Sequence, residues 1–145
     1  MKLREYYDFK LEKALKMALI HDMPESAISD VPHNIKASNP QLAAALEEAE
    51  DKVLNTMFYA EGVNLVAEFN ETSSPEGKVC ALADVLSVVL YANDEIKCGN
   101  KVFNYIAIKA IARCKDLVDK LDEHRNKFYT KEQIMNKINQ IVNIY

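Results

Sequence analysis

Apolar positions recur at helical steps along most of this chain. Between Tyr7 and Ile20 the residues Phe9, Leu11, Ala14, Leu15, Ala18 and Leu19 share one face, which predicts a helix ending near Asp22 or Met23, because Pro24 disfavours the helical region for its predecessor. The stretch 24–39 is rich in turn formers and holds two of the four prolines, so it is expected to be a loop carrying one helical turn. Asn39 and Pro40 then supply a cap and a first helical position for a helix running through Glu61 and stopped at Gly62. A shorter helix is expected from Val63 to Glu71. Ser74 caps and Pro75 opens the next one, whose Val79, Leu82, Ala83, Leu86, Val89 and Leu90 cover so wide an arc that it must be central, with Gly99 ending it. A further helix spans about Lys101 to Phe128, burying Phe103, Ile106, Ala110, Ile111, Cys114, Leu117 and Leu121. Thr130 with Gln133 makes a capping box for a last helix, whose Ile134, Ile138, Ile141 and Tyr145 form a single seam.

This pattern is all-α, and composition agrees. Three glycines and four prolines in 145 residues leave few places to break long helices, and the length suits one domain over residues 1–145. A net charge of -4, with the basic residues scattered, leaves no electrostatic footprint for nucleic acid. The charged opening MKLREYYDFKLEK is no signal peptide and no apolar run reaches membrane-spanning length, so a cytoplasmic location is expected. Cys80, Cys98 and Cys114 are odd in number and form no CxxC pair, and they read as reduced, packed side chains.

Candidate chemistry concentrates at His21-Asp22-Met23-Pro24-Glu25, followed by Asp30, Pro32 and Lys36. A neutral imidazole with carboxylates is a mixed nitrogen and oxygen set, suited to a borderline divalent ion. Far downstream, Asp84 is the only charge in the run VCALADVLSVVLYA, and a carboxylate buried in such a run needs a partner or a cation. An isolated His-Asp pair supports no more than a helix end. Glu25 alone reads as a first-turn carboxylate beside Pro24, Asp30 as a turn before Pro32, and Lys36 as a solvated lysine.

Taken together, ALIHDMPESAISDVPHNIK resembles the metal-binding core of HD-domain phosphohydrolases, and most closely the bacterial and phage 5′-deoxynucleotidases of that superfamily, with His21, Asp22, Glu25, Asp30, Pro32 and Lys36 in register. The resemblance implies an HD-domain-like bundle enclosing one divalent ion (Mn, Co, Fe, Ni, Zn or Mg). It implies His21, Asp22 and Asp84 as ligands and Glu25 as the acid/base near a scissile phosphate. Asp30 would accept a hydrogen bond from a sugar hydroxyl or the attacking water, and Lys36 would neutralise phosphate. The expected substrate is a (deoxy)nucleotide or another small phosphorylated molecule, foremost a 5′-deoxynucleoside monophosphate. Members of the family carry a further His ligand well before the His-Asp pair, whereas here only twenty residues precede His21 and none is His. The expected bundle is therefore N-terminally short.

Three readings follow. The first is a metal-dependent nucleotide phosphohydrolase; the second, a degenerate fold that holds a nucleotide or a protein partner without hydrolysis; the third, a structural bundle whose C-terminal seam docks a partner helix. His33, Tyr6, Tyr7 and Phe9 are possible pocket residues, while His124 in KLDEHRNKF reads as solvated. A short bundle leaves apolar surface uncovered, so a homo-oligomer is expected, with the Tyr6, Tyr7 and Phe9 segment or the Ile134, Ile138 and Ile141 seam filling the gap.

Overall fold

A computed structural model of the chain describes residues 2–29 and 31–142, with the backbone alone for His33, Asn34, Ile141 and Val142. The order of elements is α1 (Leu3–Tyr6), α2 (Leu11–Ile20), α3 (Met23–Ile28), α4 (His33–Ser38), α5 (Pro40–Met57), α6 (Ala60–Glu71), α7 (Pro75–Lys97), α8 (Phe103–Lys120), a single 3-10 turn (Asp122–His124) and α9 (Lys131–Val142). The protein is an all-α bundle.

α7 is the hub, packing against α2, α6, α8 and α9. Ser74 caps it by accepting a hydrogen bond from the Gly77 amide at 3.1 Å, Pro75 occupies its first turn, and Gly99 terminates it with φ 92°. Two apolar clusters lie on its flanks. The larger joins Val79, Leu82, Leu86 and Val89 to Cys114, Leu117, Val118 and Leu121 and to Ile134 and Ile138 of α9. The smaller gathers Ala14, Met17, Leu65 and Cys80, with Ile20 and Phe69 against it, directly beneath the end of α2. Ala83 and Leu90, expected inside, are exposed, so the buried arc of α7 is narrower than its composition suggests.

The N-terminus differs from expectation. α2 begins at Leu11 rather than Tyr7, because Tyr7 is extended and makes an isolated antiparallel bridge with Arg125. The Asp8 amide donates to the His124 carbonyl at 2.8 Å and the Asn126 amide to the Tyr6 carbonyl at 2.7 Å. This clamp delivers the Tyr7 ring into the main core, where it is 2% exposed. Burial leaves the Tyr7 hydroxyl without a hydrogen-bond partner among the described residues and raises its pKa, with Asp122 adding to the rise.

Other boundaries shift for identifiable reasons. The stretch 24–39 holds two short helices rather than one turn. Gly62 does not stop a helix; it lies in the first turn of α6, where the bare Cα lets the Phe58 side chain fold over it, since a Cβ would stand 2.8 Å from Phe58 Cβ. The break falls instead at the extended Phe58 and Tyr59. α8 is shorter than expected and hands over to the 3-10 turn.

The capping box of α9 is present: the Thr130 amide donates to Gln133 Oε1 at 2.8 Å and the Gln133 amide to Thr130 Oγ1 at 3.1 Å. Ile134 and Ile138 are buried in this chain's own core, as is Tyr7, while Tyr6 and Phe9 are half-buried against it. The Ile141 side chain and Tyr145 lie outside the described residues. Cys80 and Cys114 are buried, and burial pushes each thiol up to about 11; Cys98, expected to be packed, is exposed at the end of α7.

α6 and α7 meet at Gly77, where an added Cβ would lie 2.5 Å from the Glu68 carbonyl oxygen. Gly77→Ala is therefore expected to destabilise the protein by about 1–3 kcal/mol, since the forced separation outweighs the helical preference for alanine. Urea unfolding measures this, and a stabilised variant would show that the two helices do not approach so closely.

Candidate metal centre

Three local features deliver His21. α2 ends at Ile20, so His21 is its C-cap with helical φ and ψ, and its ring packs against Phe69 of α6, tilted by 52° with centroids 4.4 Å apart. His21 Nδ1 donates to the Ala18 carbonyl at 3.0 Å. A carbonyl only accepts, so Nδ1 carries a proton, and Nε2 is the ring atom left to face outward. Asp22 Oδ2 lies 3.2 Å from that Nε2. Two lone-pair atoms this close, at the negative end of a helix, require a proton or a cation between them.

Asp22 is free to do this because it gives up a local alternative. It stands at the N-cap of α3, yet its side chain makes no capping hydrogen bond. Pro24 at the start of α3 removes one donor that such a cap would otherwise serve.

Asp84 stands on the part of α7 that faces the end of α2. Contrary to the reading of a carboxylate buried in an apolar run, Asp84 is exposed. Its surroundings still remove enough solvent to raise its carboxyl pKa, while His21 pulls it down and Asp22 pushes it up. The three groups thus share one electrostatic field, although Asp22 and Asp84 are 62 positions apart (84 − 22 = 62). Among the described residues, no group of three or more His, Cys, Asp or Glu side chains is arranged to hold a metal ion. The donor types fit a divalent ion; the His21–Asp22 pair is assembled, and Asp84 does not close onto it as a third ligand.

The remaining candidates fall on the adjoining lobe. Glu25 lies in the first turn of α3 rather than in a loop, since Pro24 opens a helix as well as closing one. Lys36 of α4 comes to it, with Nζ 3.7 Å from Glu25 Oε1 and 3.6 Å from Glu50 Oε1 of α5. Lys36 is therefore partly neutralised by two carboxylates. Glu50 was not singled out from sequence, because EEAED reads as a solvated helix face. Ser29 ends α3 at φ 71° and ψ 146°, a left-sided conformation that costs about 1–3 kcal/mol in a residue other than glycine. Asp30, next in the chain, lies outside the described residues, as does the His33 side chain. Tyr6 packs against the main core, and Phe9 against both clusters. His124 lies in the 3-10 turn, where its carbonyl holds the Asp8 amide.

Glu76 was also missed. It is 6% exposed, accepts the Lys10 amide at 2.7 Å and has Lys13 Nζ at 3.9 Å. Its only sequence signal is its place in the first turn of α7, which many surface glutamates share.

Residues 1–125 match the family model described as HD domain. The chain belongs to the HD-domain family. Comparison with curated proteins and with solved structures returned no match. Divalent metal binding and phosphorylated small substrates are typical of HD domains. α9 lies beyond the matched residues.

The raised pKa of Asp84 sets a test. A carboxyl that holds its proton more tightly when folded weakens the fold as pH rises from its unfolded value through its folded one. Metal-free Asp84→Asn should therefore melt above the parent protein at neutral pH, and the difference should close as pH falls below the ordinary value of 3.8. Equal melting at neutral pH would show that Asp84 carries no such penalty.

Proposed function

We propose that this HD domain, read as one unit over residues 1–145, is a metal-dependent phosphohydrolase of small phosphorylated molecules, foremost 5′-deoxynucleoside monophosphates. The observation carrying this reading is the His21 ring: its Nδ1 proton is committed to Ala18 while Nε2 faces the Asp22 carboxylate. His21, Asp22 and Asp84 are the proposed ligands of one divalent ion. A bound ion would supply Lewis acidity toward a water and a phosphate oxygen.

The chain's own groups then divide the work. Glu25 takes or returns the proton at the reacting oxygen. Its carboxylate, held near Lys36, is the group proposed for this proton transfer. Lys36 faces the incoming phosphate as a point charge, drawn from between Glu25 and Glu50 by the stronger anion. Asp30 accepts from a sugar hydroxyl or the attacking water.

A second reading is favoured by the same geometry: a domain that holds a nucleotide without cleaving it. Lys36 is already occupied by two carboxylates, and no three-ligand group is assembled among the described residues.

Metal titration by calorimetry, paired with phosphate release from a panel of nucleoside monophosphates, separates the two. Hydrolysis predicts one divalent ion per chain, binding weakened by Asp84→Asn, and phosphate release that Glu25→Gln lowers by about 10²–10⁴-fold at unchanged metal affinity. Nucleotide binding without phosphate release selects the second reading. Metal binding unaffected by both Asp22→Asn and Asp84→Asn would overturn the proposed centre.

A further inference from the structure

The acidic residues of the α5 run EEAED do not share a face. Glu47, Glu48 and Asp51 are exposed, whereas Glu50 is half-buried on the side of α5 that also carries Leu42, Ala43, Leu46, Val53 and Leu54. A carboxylate on a packing face costs stability that an apolar side chain there would not, unless a cation meets it. Lys36 of α4 is that cation, and it also faces Glu25 of α3.

The way Lys36 is held differs from the other lysines of this helix layer. Its Nζ lies 3.6 Å from Glu50 Oε1 and 3.7 Å from Glu25 Oε1, both longer than a charge-assisted hydrogen bond of about 2.7–2.9 Å. On the outer face of α5, Lys52 reaches Glu48 at 2.6 Å. Drawing Lys36 away from its two carboxylates therefore breaks no short bond to either. Glu25 has a task in the proposed chemistry; Glu50, on a different helix, has none.

We propose that Glu50 is a positioning residue that competes with phosphate for Lys36: it holds the ammonium while the site is empty and takes it back when phosphate leaves. This rests on Lys36 being the cation that meets phosphate. A phosphomonoester, with a second pKa of about 6, is doubly charged at neutral pH and attracts the ammonium more strongly than one carboxylate does, so binding proceeds against the competition. Inorganic phosphate, released by hydrolysis, meets the same competitor. Removing the Glu50 charge takes away both a rival for Lys36 and a repulsion of the incoming anion.

Calorimetric titration of the full chain with inorganic phosphate tests this, at mildly alkaline pH and both with and without Mg2+. Glu50→Gln, which keeps the shape of the side chain, should bind phosphate about five- to thirtyfold more tightly than the parent protein in both conditions. Glu50→Ala should do the same. Glu48→Gln makes the same charge change on the exposed face and should shift the affinity by less than about twofold. Lys36→Met should weaken binding, and Glu50→Gln added to it should gain far less than in the parent background, because the competition acts through Lys36. Equal gains in the two backgrounds would reduce Glu50 to simple repulsion and overturn the competition. Binding that Lys36→Met weakens but Glu50→Gln leaves unchanged or weakens overturns this inference alone. Phosphate that binds no variant, or binds independently of Lys36, overturns the reading of Lys36 and the inference with it.

Discussion

The seat of α2 on α7 governs everything that this protein brings together. Two polar contacts to backbone hold it. Glu76 accepts the Lys10 amide, which no helical carbonyl serves, and the Cys80 thiol donates to the Ala14 carbonyl at 3.2 Å. A carboxylate this deep is stable only because the amide and the Lys13 ammonium meet it. Small residues, Ala14 and Cys80, let the two backbones come close enough for such bonds. With the start and middle of α2 pinned in this way, its far end is set against α6, and His21 arrives over Phe69.

A division of labour follows. The layer made by α2, α6 and α7 is densely apolar under His21, with Met17, Leu65 and Phe69 filling the space. The lobe of α3, α4 and α5 is thinly packed. Among its described side chains only Pro24 and Leu54 are buried, and it is held by ion pairs such as those of Lys36. Segments with so little buried apolar area open at lower free energy than a core. The fixed layer carries the proposed ligands, and the yielding lobe carries the groups that would meet a substrate of variable shape.

How much of this was legible in the sequence depended on range. Ser74 with Pro75, Asn39 with Pro40, and Thr130 with Gln133 act within one helical turn, so their residues announce the helix starts directly. His21 and Asp22 at the end of a helix follow from Pro24 for the same reason. The clamp of Tyr7 on Arg125 joins positions over a hundred residues apart, and no local pattern encodes it. Asp84 was singled out on the premise of burial; its exposure shows that an apolar run on a central helix still has one face toward water. Glu50 and Glu76 looked like any helical glutamate. Their significance lies in which lysine or amide the fold sets opposite them.

The burial of α9 carries a consequence for where this protein can be cut. The family match ends at residue 125, yet Ile134 and Ile138, beyond it, are each 0% exposed. They close the same cluster that receives Tyr7 from the opposite end of the chain. The homologous unit and the folding unit therefore do not coincide. A fragment trimmed to the family boundary would keep every proposed metal ligand and lose the plug that seals the hub helix, leaving a trench lined by Leu117, Val118 and Leu121 open to solvent.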